Sequence, residues 1–105
     1  MRHFKAHEFS DFGAMKVPML EMLDQARQIA GVPFKITSSY RDGDKKSHGR
    51  GWAVDIACTA SRDRYHILTG LLAAGFTRVG VYDRHIHADA DPTLDQEVMW
   101  WGTSK

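Results

Sequence analysis

The chain has little cysteine, almost no net charge and no long apolar run, and each shortage excludes a class of protein. Cys58 is the single cysteine among 105 residues, which excludes an internal disulfide and a cysteine-based zinc cluster. A formal net charge of +1 gives no reason to expect nucleic-acid binding. No stretch approaches the length of a membrane-spanning helix, and the N-terminus lacks the apolar segment of a secretory signal. We therefore expect synthesis in the cytoplasm without a signal peptide, no membrane span and no nucleic-acid partner.

The remaining composition is that of an ordinary globular domain. Hydrophobic residues make up 43% of the chain and charged residues 26%, without repeats or low-complexity tracts. A chain of 105 residues is long enough to bury one core. We therefore expect a single domain over residues 1–105, without a linker. We also expect a monomer.

Hydrophobic periodicity predicts two helices. Apolar residues recur every third position over 17–30, and Gly31 suits a helix end, so the first helix is expected there. Ser61 is the expected N-terminal cap of the second helix, which should end at Gly75. Its apolar face is expected to hold Tyr65, Leu68 and Leu72.

Segments rich in β-branched and aromatic residues predict five strands. They are 33–40, 52–58, 78–82, the segment around His85 and His87, and 97–101. A tight turn is expected over residues 82–84. The order helix, strand, strand, helix, strand, strand, strand favours an α+β fold with a central antiparallel sheet and two main helices. The tryptophans are expected to pack in the core or at a sheet edge, with the core favoured: Trp52, Trp100 and Trp101.

Two segments carry residues suited to binding a metal. His48 and Asp55 are separated by a glycine-rich stretch that can fold the chain back between them, and Asp55 is a lone carboxylate in an apolar segment. In His85-Ile86-His87, alternation places both imidazoles on one face of a strand, so one can bind metal while the other faces substrate. A catalytic zinc needs such nitrogen and oxygen ligands from separate segments and one open position. His48, Asp55 and His87 could supply that set.

Other metal classes fit this pattern poorly. An iron oxygenase would use His87 and Asp89 with a distal histidine, but no histidine follows them. A cupin-like site would need an all-β barrel, whereas two helices are predicted here. Asp89 shares the face of the histidines, so it either orients a ligand or lies in a solvated turn. We assign no role to the remaining histidines: His3, His7 and His66.

The motifs taken together resemble the zinc D-alanyl-D-alanine carboxypeptidase family, which belongs to a wider group with lysostaphin and the Hedgehog signalling domain. The family pattern of His, two residues, Gly, one, Ala, one, Asp is met by His48, Gly51, Ala53 and Asp55. The later His-x-His is met by His85 and His87. Ser38-Ser39-Tyr40-Arg41 is similar to a Ser-Gly-Tyr-Arg segment of these peptidases, and His87-Ala88-Asp89 to their His-Val-Asp. The resemblance covers nearly the whole chain.

The resemblance implies a Hedgehog/D-Ala-D-Ala-peptidase-like fold and a function for each matched residue. It makes His48, Asp55 and His87 ligands of Zn²⁺, His85 the catalytic histidine, and Arg41 a contact to substrate or transition state. Family members cut peptidoglycan stem peptides. The implied function is a zinc metallopeptidase that hydrolyses stem-peptide bonds with zinc-activated water, as a carboxypeptidase or an endopeptidase. Such a protein would act on the cell wall, in the manner of a lysin released by a phage.

The sequence also departs from the family pattern. Lys46 occupies the usual serine position, with Ser47 beside it, and Arg84 stands where the dipeptidase branch has a catalytic glutamate. We therefore expect His85 to assist catalysis. Asp83 is second choice, because on a strand it would share the face of His87 but lie four residues away from it. The alternative function is a catalytically inactive, zinc-stabilised module that binds cell wall or protein. The presence of His85 beside the ligands favours the enzyme.

Overall fold

The computed structural model describes residues 2–104, so Met1 and Lys105 of the predicted domain 1–105 lie outside the described residues. In chain order the helices and strands are α1 Val17–Ala30, β1 Ile36–Ser38, β2 Ala53–Ala57, α2 Ser61–Ala73, β3 Arg78–Tyr82, β4 His85–Asp89 and β5 Val98–Gly102. The predicted α+β class and element order are confirmed. The first strand was predicted too long: of the predicted range 33–40, only Ile36–Ser38 form a strand paired with β2. In the part of the chain that is described, neither helix is long and apolar enough to cross a membrane.

The five strands form one mixed sheet in the order β1-β2-β4-β3-β5. All neighbouring pairs are antiparallel except β3 and β5, which run parallel. The prediction of a wholly antiparallel sheet is therefore wrong. After β4 the chain does not make a hairpin. It passes the N-terminal end of β3, where Arg78 pairs with Asp89 on one side and Val98 on the other, and enters β5 in the same direction as β3.

The hydrophobic core lies between the two helices and one face of the sheet. Strand alternation points Val54, Ile56, Ile86 and Ala88 into this core, where each is fully buried. The helices contribute further buried side chains: Met19, Leu20, Leu23, Ala26, Ile67 and Leu71. The residues that alternate with them on β2 and β4, including Asp55 and His87, therefore lie on the opposite face of the sheet. Both α1 and α2 pack on the core side of the sheet.

The first helix is confirmed with the predicted bounds, and the second differs in two details. Gly31 ends α1 in the left-handed conformation, with φ of 71°. At the start of α2 the cap position is Ala60 rather than Ser61, and no side chain caps the helix. The predicted apolar face of α2 is also wrong, because Tyr65 is 65% exposed and Leu72 44% exposed.

A close helix crossing explains which face of α2 is buried. A Cβ on Gly70 would lie 2.7 Å from the Ala26 carbonyl oxygen and 2.8 Å from the Ala30 Cβ, so α1 can approach α2 this closely only at a glycine. This contact turns Ile67 and Leu71, rather than the predicted residues, toward the core.

Candidate metal centre

The structure brings together the three predicted metal ligands on the uncovered face of the sheet. His48 lies in a short 3-10 turn over Ser47–Arg50, which we call the ligand turn, while Asp55 and His87 occupy the middle of β2 and β4. Asp55 and His87 are direct partners in the sheet register. One donor atom from each of the three side chains lies within 4.8 Å of the other two. Together these residues can hold a metal ion.

Glycines allow the ligand turn to sit in a crowded position. Gly51 follows the turn with φ of 76°, and a Cβ there would lie 2.2 Å from the Ala14 carbonyl oxygen. A Cβ on Gly49 would lie 1.6 Å from the Asp44 carbonyl oxygen. The backbone at Ala14 and at Asp44 therefore packs directly against the turn and keeps His48 close to β2.

His48 presents one ring nitrogen to the site and uses the other for support. Its side chain is buried, and Nδ1 donates a hydrogen bond of 2.7 Å to the carbonyl oxygen of Ser39. Nε2 has no hydrogen-bond partner and lies 3.5 Å from Oδ1 of Asp55. Buried polar atoms are nearly always paired, so an unpaired imidazole nitrogen that faces a carboxylate fits the role of a metal ligand.

The other two ligands are coupled through hydrogen bonds. His87 Nδ1 lies 3.0 Å from Oδ1 of Asp55, and His87 Nε2 lies 2.8 Å from Oδ2 of Asp89. Burial by itself raises the pKa of Asp55, but the imidazoles of His48 and His87 hold that pKa well below its usual range. Burial lowers the pKa of His87, yet its two carboxylate neighbours more than offset this and raise it. The site therefore brings together the negative charges of Asp55 and Asp89, which a cation would balance.

The donor atoms suit a zinc ion in their chemistry, and the two distances to Asp55 are close to the spacing that zinc requires. Zinc accepts imidazole nitrogen and carboxylate oxygen at about 2.0–2.2 Å, which places tetrahedral ligand atoms about 3.4 Å apart. The distances to Asp55 Oδ1 are 3.5 Å from His48 Nε2 and 3.0 Å from His87 Nδ1. Asp89 would then hold the far nitrogen of His87, as carboxylates commonly do for metal-bound histidines.

His85 lies beside the three ligands with a fixed ring orientation. Its Nδ1 is hydrogen-bonded to Ser104 Oγ at 2.8 Å, and its ring stacks on Tyr82 with centroids 4.3 Å apart and planes 11° from parallel. Its Nε2 faces the site, 3.9 Å from Oδ1 of Asp55. The predicted catalytic role of His85 stays a prediction.

Arg41 lies at the mouth of the site. Its Nη2 is 3.8 Å from Oδ2 of Asp55, its Nε is 3.7 Å from Oδ2 of Asp44, and the side chain is 51% exposed. It lines an open cleft of about 960 Å³ that contains the three ligands. Further basic residues line the same cleft: Lys45, Lys46, Arg50 and Arg78. The guanidinium is therefore accessible to a ligand, although its role stays a prediction.

The cleft also contains two aromatic residues: Tyr82, to which the sequence assigned no role, and Trp100, for which a packing position was favoured over a cleft position. Trp100 and Tyr82 both line it, and Trp100 Nε1 donates a hydrogen bond of 3.1 Å to the Tyr82 hydroxyl. Of the two positions predicted for the tryptophans, the favoured core position is wrong for Trp100, which is half-buried, and for Trp101, which is 78% exposed. Both lie on β5, at the edge of the sheet. Glycine inside a strand often marks a close approach, and Gly80 and Gly102 carry that signal here, since each supports one of the two rings.

Two aspartates near the histidines have different positions. Asp83 is exposed in the turn between β3 and β4, does not line the cleft, and accepts a hydrogen bond from the Ser104 backbone nitrogen. The prediction that it shares the strand face of His87 is wrong, because β4 begins after it. Asp89 is fully buried and also accepts a bond of 2.7 Å from Arg78 Nε, so its interpretation as a solvated turn residue is wrong.

Comparisons with known proteins found no match to this chain. The chain matches no protein-family model, no curated protein and no solved structure. The likeness to zinc peptidases therefore depends on the motifs quoted above, and the chemistry of the site on its geometry.

Proposed function

We propose that the protein is a zinc metallopeptidase that hydrolyses peptide bonds in peptidoglycan stem peptides at the cell wall. One observation carries the proposal. Three donor atoms of the types that zinc prefers converge in an open cleft, and one of them, Nε2 of His48, is buried without a hydrogen-bond partner. A purely structural zinc site is closed by four protein ligands, whereas this set of three leaves a position free for catalysis.

The surrounding residues suit a hydrolytic reaction. When bound, zinc would supply a water molecule of lowered pKa and would polarise the scissile carbonyl. His85 directs Nε2 toward the ligands, so it can donate a hydrogen bond to a developing oxyanion or pass a proton to the leaving amine. Ser104 and Tyr82 hold that ring in place.

The charge of the cleft supports a substrate that carries carboxylates. Arg41 presents a planar guanidinium at the mouth, and such a group binds carboxylates through two parallel hydrogen bonds. Exposed lysines from the loop between β1 and β2, Lys45 and Lys46, add positive charge. Stem peptides carry free carboxylates, which this basic rim would attract. The resemblance to peptidoglycan peptidases supports the same substrate class.

Metal analysis tests the first half of the proposal. Elemental analysis of the purified protein should give close to one zinc per chain, and His48→Ala should lose most of it. His7→Ala is the matched control, because His7 is exposed and lies outside the cleft. A wild-type protein that binds no zinc would refute both the peptidase and the zinc-stabilised binding module.

Digestion of purified peptidoglycan, with mass spectrometry of the fragments, tests the second half. The wild type should release new stem-peptide termini only with zinc present, and His85→Ala should keep zinc but lose cleavage. Zinc binding without any cleavage by the wild type would favour the binding module instead. The new termini also distinguish carboxypeptidase from endopeptidase action.

A further inference from the structure

A second carboxylate lies behind the metal site and does not face the cleft. Asp91 follows β4 in the chain, has no exposed surface and does not line the cleft. A buried carboxylate is expensive unless it is well paired, so its partners show what it stabilises.

Both carboxylate oxygens of Asp91 are hydrogen-bonded. Oδ1 accepts bonds from Thr93, of 3.0 Å from the backbone nitrogen and 2.6 Å from Oγ1. Oδ2 accepts bonds of 3.0 Å from Ser47 Oγ and 3.0 Å from Arg50 Nε, with Arg50 Nη2 also in contact. One oxygen thus holds the chain that follows β4, and the other holds the ligand turn.

The two partners on the ligand turn bracket His48. Ser47 and Arg50 are the first and last residues of the turn, and Ser47 is itself buried. Asp91 itself and Thr93, which binds the other carboxylate oxygen, lie in the segment that directly follows β4, the strand that carries His87. Asp91 therefore joins the two chain segments that supply the histidine ligands, at a point outside the cleft.

We propose that Asp91 is a positioning residue for the metal centre. It holds the ligand turn against the end of β4, so that Nε2 of His48 stays at the spacing from Asp55 and His87 that one cation requires. This inference rests on the proposed zinc function. A site whose ligands are held in advance loses less conformational freedom when the metal binds, and loss of such supporting contacts typically weakens metal affinity by about 10–100-fold.

Zinc affinity of Asp91→Asn, measured by competition with a chromophoric chelator, tests the inference. The substitution keeps the size of the side chain but replaces one acceptor oxygen with a donor, so we expect zinc affinity to fall by about 10–100-fold. Asp95→Asn is the matched control, because Asp95 is exposed and its carboxylate lies outside the cleft; its affinity should equal that of the wild type. Ser47→Ala removes one bond to Asp91 and keeps the Arg50 pair, so it should weaken affinity less, and it carries the test if Asp91→Asn does not fold.

A stability control separates positioning from a general structural role. Leu71→Ala creates a cavity in the core on the opposite face of the sheet and should lower the stability of the fold. Measured on folded protein, Leu71→Ala should keep wild-type zinc affinity while Asp91→Asn loses it. Equal loss in both variants would show that Asp91 acts through stability alone and would overturn the inference.

The remaining outcomes are equally decisive. Wild-type affinity in both Asp91→Asn and Ser47→Ala would overturn the positioning role and leave the zinc function standing. A wild-type protein without measurable zinc affinity would overturn the proposed function and this inference together.

Discussion

Replacement of Gly80 by alanine would push one wall of the cleft out of place. Gly80 lies on β3, paired with His87 on one side and Trp100 on the other. A Cβ at this position would lie 2.4 Å from Nε1, 2.6 Å from Cε2 and 2.9 Å from Cζ2 of the Trp100 indole. Non-bonded carbon atoms pack at about 3.5–4.0 Å, so the indole would have to withdraw by roughly 1 Å.

The energetic cost follows from these contacts. Forcing an extra methyl group into a packed site costs about 1–3 kcal/mol. A displaced indole would also lose its hydrogen bond to the Tyr82 hydroxyl, which contributes about 0.5–1.5 kcal/mol. We expect Gly80→Ala to lower the free energy of unfolding by about 1.5–4.5 kcal/mol, the sum of these two contributions.

Urea unfolding, followed by tryptophan fluorescence and near-ultraviolet circular dichroism, measures this loss. Gly13→Ala is the control, because the nearest atom to its added Cβ would lie at 3.8 Å and its φ is not in the left-handed region. Its stability should stay within about 0.5 kcal/mol of the wild type. If Gly80→Ala were as stable as the wild type with an unchanged aromatic spectrum, the indole could not be packed on Gly80 as described.

Four further predictions concern pH and the cleft residues. Zinc affinity should rise about tenfold per pH unit up to the raised pKa of His87 and then level off, because a proton on Nδ1 competes with the metal; chelator competition across a pH series measures this. Without metal, the same raised pKa stabilises the fold below about pH 6.5, and this contribution should disappear as pH rises through the folded-state pKa, as urea midpoints would show. Ser104→Ala should lower kcat by up to about 100-fold with unchanged zinc content, because His85 would lose the group that orients its ring; an unchanged kcat contradicts this. Arg41→Lys should raise KM for a stem peptide with unchanged zinc content, since lysine lacks the planar fork, and unaltered turnover would show that Arg41 does not bind substrate.

The candidate metal ligands could be recognised from sequence because their signals are local. Alternation in a short strand determines that His85 and His87 share a face, and Asp55 stands out as the lone carboxylate in an apolar segment. The first helix was predictable for the same reason, since its periodicity and its terminal Gly31 lie within one continuous segment. Such local patterns do not show which segments come close together in the fold.

The features that were missed depend on contacts between distant parts of the chain. The face of α2 is decided by the approach of α1 to Gly70, and the direction of β5 by the route of the chain past β3. The positions of Trp100 and Asp91 also depend on such contacts: Trp100 lies beside Gly80 of β3, and Asp91 is bonded to Ser47 and Arg50 of the ligand turn. Their local surroundings resemble an ordinary strand and an ordinary loop, so periodicity gave no reason to select them.

The direct pairing of Asp55 with His87 has a consequence for how the chain finds its fold. If β2 slipped by one residue against β4, every side chain on it would change faces, and Asp55 would enter the apolar layer beneath the helices. An isolated carboxylate there would cost several kcal/mol, and His48 and His87 would lose Asp55 as a partner. The same residues that form the metal centre thus discriminate against misaligned strands. A bound cation would add to this discrimination, because the ligand set exists in only one alignment.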